Sequence, residues 1–424
     1  MSGPLVPAVG GERLVPEPDP IARDYLLLAL RLDQHVPGLV DGYYGPRDLK
    51  ARVDMENLRP RGRLAEDAVA LRERVTVEVA EPDRRRWLDR QLTALETLAA
   101  REAGRVLPYP VEVARCFDAT PERVPPSKYA EVRSELDRLL PGPGSPADRL
   151  EAEDARWVIP PDRVRVAVDE LLPAIRSASL ARFPAPAGES LRVSLVSDQP
   201  WGGYNWYDGG LRSRVDLNTD LPIRPLALLD TLSHETYPGH HLEHAWKEQR
   251  LVGELRRAEA SILLIDTPEC YVSEGLAELG RRFTLDPGTR AELLQTACRI
   301  AGLPESVDDV ERQLAISADL HRLRGSGGDA ALMLHAEGRA RDDVVAFLCD
   351  EALMSPARAG KQVEFLQHPL WRTYVFSYAG GEALLGRWCD AAGSPEAARA
   401  RFFRLLTEQL TPSGIADDLV SGPA

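Results

Sequence analysis

The sequence predicts a mainly α-helical protein with a small β-sheet, and three observations carry that expectation. Apolar residues recur at helical spacing through most of the first 185 positions and again after position 268, several of these stretches opened by a proline. Two short runs between them, Leu191–Val196 and Ser213–Asn218, alternate with period two and read as strands. Four of the eight histidines fall inside Leu232–His244 with two glutamates among them, which points to a side-chain cluster with a chemical purpose. A solvated helix face reaches such a density by chance. It does not also bring a Pro-Gly break and a second glutamate pair downstream.

In chain order, residues 1 to 19 are rich in Pro and Gly and read as a flexible N-terminal tail. Asp19-Pro20 then opens a helix, with Asp at the cap and Pro in the first turn. Its apolar face is Ile21, Tyr25, Leu28 and Leu32. The aromatic segment Gly42–Pro46 is expected to be a turn that packs between lobes. A charged helical block runs from Leu64 to about Gly104, broken near Glu81-Pro82-Asp83. Further helices are expected over about 126–140 and from Pro161 to about Arg182. These make residues 20–185 a helical N-terminal lobe.

Residues 186–424 form the expected catalytic lobe. The glycine-rich stretch Pro200–Gly210 between the two strands reads as an aromatic loop, either a pocket wall or packing. After the histidine cluster, helices are expected over about 268–280, 288–302, 306–323, 327–350 and 356–368, with a closing helix around Gly380-Gly381. The glycines of Arg322–Asp329 lack a phosphate-loop lysine and read as a turn between helices.

His234-Glu235 enters from an apolar helical run, which is the outline of a zincin helix, in which two histidines one turn apart bind zinc and the glutamate acts on water. The position four residues after His234 is Pro238, however, and histidine returns only at 240 and 241. On a regular helix neither would share one ion with His234, because six or seven residues carry the side chain to another face or two turns away. Pro238 lacks an N–H and clashes with the carbonyl of residue 234, and Gly239 adds backbone freedom. The expectation is a helix bulged at Pro238-Gly239. His240 is the favoured second ligand, since a two-residue insertion moves the usual plus-four ligand to plus six. His241 is the alternative, or else a neighbour of the site or of the substrate pocket.

A third ligand is offered by Pro268–Gly280, where Glu274 and Glu278 lie one turn apart on one helix face. Glu274 suits the third-ligand position that gluzincin metallopeptidases fill from a later helix. Glu278 suits the acceptor of a ligand histidine's other N–H.

His-Glu-x-x-Pro-Gly-His-His followed by the Glu274–Glu278 element resembles the bacterial family catalogued as domain of unknown function 885. Similar motifs stand at Pro37–Pro46, Leu139–Gly142 and Tyr374–Gly381, so the resemblance runs from about residue 20 to the end. Leu276 departs from it, since many members carry tryptophan there. The resemblance implies a gluzincin-like metallohydrolase with a deep cleft, and makes Arg372, Tyr374 and Tyr378 candidate cleft residues. A tyrosine hydroxyl or an arginine is also the donor that a zinc hydrolase needs at a developing oxyanion. In gluzincins a strand before the active-site helix pairs with extended substrate, and Val215–Asn218 is placed for that role.

Composition narrows the field. A net charge of −14, from 66 acidic and 52 basic residues, argues against a nucleic-acid partner read by a basic surface and against an anionic membrane. Five scattered cysteines form no close pair, as expected for reduced thiols in the cytoplasm. No signal-like or membrane-spanning run is present. The expectation is therefore a cytoplasmic hydrolase with one Zn2+ per chain, held by His234, His240 and Glu274. Glu235 is the general base, Tyr378 or Arg372 the oxyanion donor, and short peptides the substrates. Two other readings stay open: a hydrolase of a non-peptide amide or ester, and a metal-stabilised binding protein without turnover.

Overall fold

In the computed structural model, residues 16–199 and 201–421 are described. The N-terminal tail expected over residues 1–19 thus lies almost wholly outside them. Among the described residues helices take 65% and strands 6%, which makes the class mainly α.

The N-terminal helices begin where the sequence signals them. Helix Pro20–Asp33 is capped by Asp19, whose carboxylate accepts the Ala22 N–H at 2.9 Å. Helices Arg61–Glu78 and Pro82–Glu102 form a hairpin across the expected break, the first burying Leu64, Ala68, Leu71 and Val75. Helix Pro126–Leu139 and helix Pro161–Leu180 fall as expected. Helix Pro146–Arg156 was not anticipated, although Ser145 and Asp148 form a complete capping box.

Two small sheets follow. β1 (Val40–Tyr43) pairs antiparallel with β5 (Ile262–Leu264), so part of the expected aromatic turn is a strand. The second sheet holds β2 (Ser190–Val196), β3 (Gly203–Tyr207) and β4 (Arg212–Asn218) in the order β2-β4-β3. β4 runs parallel to β2, with Val193 opposite Val215, and antiparallel to β3, with Asn205 opposite Val215. Two expectations are corrected here. The aromatic loop contains a strand, and Val215–Asn218 is central, with both edges already bonded. An extended ligand cannot pair with it.

The C-terminal part is mainly helical as far as Ser421, the last described residue. The stretch expected as one helix over 327–350 is two, Ser326–His335 and Arg341–Asp350. Gly338, with φ of +67°, turns the chain between them. Helices Pro268–Thr284 and Val375–Asp390 cross closely, and glycine explains how. A Cβ on Gly275 would stand 2.5 Å from the Gly381 carbonyl carbon, so the two backbones touch with no side chain between them.

One continuous apolar core reaches from Ile21 to Ile415 and draws on both sides of residue 185. Trp87, Trp157, Trp388 and Phe402 are among its largest fully buried side chains. Among the described residues no helix is long and apolar enough to cross a membrane.

Candidate metal centre

Helix Pro225–Glu235 carries His234 and Glu235 at its last turn and stops there. Thr236 leaves helical geometry with φ −120° and ψ −87°, and Pro238 follows in a cis peptide. Gly239 then passes so close to the helix end that a Cβ would sit 1.8 Å from the His234 carbonyl oxygen. Only glycine fits. Helix His240–Lys247 starts directly afterwards. The expected bulge is therefore a complete break between two helices, and the new helix presents His240 back towards the old one.

The consequence is a close pair, with His234 Nε2 and His240 Nε2 3.1 Å apart. Glu274 joins them from helix Pro268–Thr284, which Thr267 caps and Pro268 opens. Its Oε2 lies 3.4 Å from His234 Nε2, and its Oε1 lies 3.6 Å from His240 Nε2. Tyr374 donates to Oε1 at 2.6 Å, while Oε2 is buried and accepts no hydrogen bond. Such an orphaned carboxylate oxygen is costly, on the order of 1–3 kcal/mol or more, unless something else satisfies it. Four ligands at about 2.0–2.1 Å from a tetrahedral zinc ion stand roughly 3.3–3.4 Å from one another. The two imidazole nitrogens, 3.1 Å apart, and the free oxygen, 3.4 Å from His234 Nε2, come close to that spacing, so the residues fit the ion.

Each histidine is oriented from behind. His234 Nδ1 faces Glu278 Oε1 at 3.5 Å, and Arg324 grips both oxygens of Glu278. Burial raises the Glu278 pKa, but Arg324 and the His234 charge outweigh it and hold the carboxyl at about 2. His240 Nδ1 faces Ser273 Oγ at 3.2 Å and Glu243 Oε2 at 3.6 Å. Both arrangements leave Nε2 turned towards the shared point. Burial alone would lower the His240 pKa, yet Glu274, Glu243 and Glu235 lift it to about 10. The acidic pocket favours positive charge.

His240, Glu243 and His244 form a second grouping of metal-ligating types. It does not suit a cation. Lys247 occupies Glu243 Oε1 at 2.7 Å and Ser273 donates to Oε2 at 2.6 Å, so an ammonium already neutralises that carboxylate.

Glu235 is buried beside the pair, where burial raises its carboxyl pKa against the pull of His234 and His240. Its backbone carbonyl accepts from Asn205 Nδ2 at 2.7 Å, tying the helix end to β3. Tyr378 meets Tyr374 edge to face, its ring 6.4 Å from that of His234. A cavity of about 740 Å³ opens over this group, lined by His234, Glu235, Glu278 and Tyr378 and extending towards Arg224 and Arg358.

Two candidates are not where the sequence put them. Arg372 does not line this cavity; its guanidinium lies over the Tyr109 ring at 5.1 Å and pairs with Glu112 at 3.4 Å. It is removed as an oxyanion donor, because its side chain faces helix Tyr109–Phe117. His241 is fully buried on the opposite side of its helix, between Ser213 Oγ and Glu189 Oε2, each at 2.8 Å. Neither the ligand alternative nor a place in the pocket survives for it.

Sequence reading also missed partners. Ser273 and Arg324 carry no motif, and His321, also outside every motif, lines the cavity and pairs with Glu382 at 2.9 Å. Asp41, donated to by Tyr204, has its carboxyl pushed up to about 7 by burial and by the Glu274 charge. Its only signal was its place inside the Pro37–Pro46 motif.

Comparison with known proteins adds the fold. No family model matches the chain, and no curated protein does. Among solved structures it is similar to the "putative lipoprotein" of Colwellia psychrerythraea, with TM-score 0.51 and 13% identity over 84% of this chain and 66% of that one. It is also similar to a "putative lipoprotein of unknown function" from Shewanella oneidensis, with TM-score 0.52 and 12% identity over 94% of this chain and 82% of that one. The chain thus spans just under two thirds of the first relative's length. At these identities the likeness is one of fold.

Proposed function

We propose that this protein is a zinc-dependent hydrolase of gluzincin type that cleaves short peptides, and that it belongs with the family its motifs resemble. The observation that carries the proposal is the buried, unpartnered Oε2 of Glu274, 3.4 Å from His234 Nε2, which itself stands 3.1 Å from His240 Nε2. His234, His240 and Glu274 would hold the zinc, which when bound would supply a Lewis acid for a carbonyl oxygen and for water.

The chain's own residues do the rest. Glu235, its pKa raised by burial, accepts a proton on its carboxylate from the attacking water and delivers it to the leaving amine. Glu278 and the Glu243–Ser273 pair hold the two imidazoles in one orientation. The Tyr378 hydroxyl is the donor available for the developing oxyanion, since Arg372 is engaged elsewhere. The free strand edge beside the centre belongs to β3, whose Gly203 lines the cavity, so an extended substrate would pair there. All five cysteines are unpaired, which supports a reducing, cytoplasmic location.

The test is metal analysis of gently purified protein together with assays on di- to hexapeptides and on acylated amino acids and esters. The expected result is close to one zinc per chain and peptide cleavage that a chelator stops. Turnover confined to the non-peptide compounds would replace the substrate class. Four protein ligands on the metal and no turnover would make this a binding protein.

A further inference from the structure

The cavity wall carries eight charged side chains, and six of them neutralise one another. Arg224 donates to Asp154, Arg281 lies 3.7 Å from Asp230, and Arg324 grips Glu278. Glu235 is accounted for as the base. That leaves Arg358, which among the described residues has no hydrogen bond and no carboxylate within ion-pairing distance. It is the third residue of helix Pro356–Gln367, exposed, and shares a cavity-lining face with Gln362 and Phe365 at positions four and seven further on. Arg224 stands near enough to feel it: burial first, and then the Arg358 charge, lower the Arg224 pKa. With Asp154 offsetting one of the two guanidinium groups, this end of the cavity holds a net positive charge in a protein whose overall charge is −14.

From this arrangement, and resting on the peptidase reading above, we propose that Arg358, with Arg224 beside it, receives a carboxylate of the substrate. The unpaired guanidinium at the far end of the cavity would then select short peptides by that group. Helix Pro225–Glu235 serves as a ruler, because Arg224 precedes its first residue and His234 is its last but one. Ten helical steps of 1.5 Å separate them by about 15 Å, which extended peptide covers in roughly four residues. The length of an arginine side chain shortens the span left to the peptide. The substrates are peptides whose carboxylate lies about three to four residues beyond the bond that breaks. A guanidinium suits this role because its planar fork donates two parallel N–H groups to a carboxylate.

The test separates binding from turnover. Three ligands are titrated calorimetrically into zinc-loaded Glu235→Gln protein: a hexapeptide with a free terminal carboxylate, its carboxamide, and the carboxamide with glutamate as last residue. The free acid is expected to bind roughly tenfold or more tightly than the plain carboxamide. Adding Arg358→Gln should erase that difference by weakening the acid alone, with the thermal midpoint unchanged, and Arg358→Glu should reverse the preference. If the glutamyl carboxamide binds like the free acid, side-chain carboxylates are accepted; if it binds like the plain carboxamide, only the terminus is read. An acid preference that survives in Arg358→Gln, an equal loss for all three ligands, or no binding by any of them overturns the proposal. Should wild-type protein bind the acid selectively yet cleave nothing, hydrolysis alone is refuted and the carboxylate site stands.

Discussion

His240 and His241 are neighbours in sequence, both close to a glutamate and both well shielded from water, yet they sit in opposite kinds of environment. His241 has a partner on each ring nitrogen, and its glutamate, Glu189, is bound in turn by Tyr237 and Arg176. Every polar group in that knot is used. His240 faces another imidazole nitrogen, and the Glu274 carboxylate beside the pair has an oxygen that accepts nothing. The first arrangement is complete as folded and ties β4 and the segment before β2 to the helix. The second leaves a buried carboxylate oxygen without a hydrogen bond. Here the satisfied histidine marks architecture, and the neighbour beside an unsatisfied carboxylate marks the candidate site.

The sharpest way to break this contrast is Glu235→Gln, which keeps the shape of the open side and removes its proton acceptor. Metal content should stay at the wild-type level, while turnover falls by roughly two to four orders of magnitude. Near-normal peptide cleavage in this variant would take Glu235 out of the mechanism.

Next come the two histidines themselves. His240→Ala and His234→Ala should each weaken zinc binding by roughly a hundredfold to a thousandfold, one ligand's share of the ~10–16 kcal/mol typical of a four-ligand site. His241→Ala should retain zinc and lose stability instead, since Glu189 and Ser213 are left without their partner. Equilibrium dialysis and thermal denaturation of the three variants read the two effects apart; metal loss in His241→Ala with retention in His240→Ala would reverse the assignment.

A smaller effect is expected behind the site. Glu278→Gln should lower zinc affinity by about tenfold to a hundredfold, because His234 loses the carboxylate at its Nδ1. An unchanged affinity, measured by competition with a chromogenic chelator, would mean that Glu278 serves only to anchor Arg324.

The smallest effect sharpens the other half of the comparison. Glu189 is held near a pKa of about 2, burial being outweighed by His241, Tyr237 and Arg176, against an ordinary value of 4.5. A depressed carboxylate contributes stability that is present above its ordinary pKa and is lost as pH falls through the folded value. Denaturation between about pH 4.5 and 2 should therefore be less steeply pH-dependent in Glu189→Gln than in wild type, with the variant less stable by about 1–3 kcal/mol at neutral pH. Parallel curves for the two proteins would show that the knot is energetically idle.

Much of the site was legible because its geometry is local. His234-Glu235 and Glu274/Glu278 declare themselves by helical spacing, and the Pro238-Gly239 break pointed to His240. What the sequence did not carry was direction in space. Arg372 lies two residues before the motif that holds Tyr374 and Tyr378, but which side of that segment meets the cavity depends on the packing of Tyr109 and Glu112, some 260 positions away. Likewise β4 alternates as a half-exposed strand would, and only the arrival of β2 and β3 on its two flanks shows that it is interior. The pairing of β1 with β5 joins segments about 220 positions apart, which no local pattern encodes. Helices were found where apolar spacing was long and missed where they were short, as at Tyr109–Phe117 and Pro146–Arg156.

The glycine-to-glycine crossing of helices Pro268–Thr284 and Val375–Asp390 has a mechanical consequence for the centre. Side chains at a helix contact act as a cushion: they change rotamer, and the helices shift a little without parting. Here there is no cushion, because Gly275 meets Gly381 backbone to backbone. The next residue along one helix is Glu274, and Tyr374 and Tyr378 stand about two turns and one turn before the contact on the other. The carboxylate and the two phenols therefore move as a single stiff part, and any sliding between these helices is felt at once at the Tyr374–Glu274 hydrogen bond.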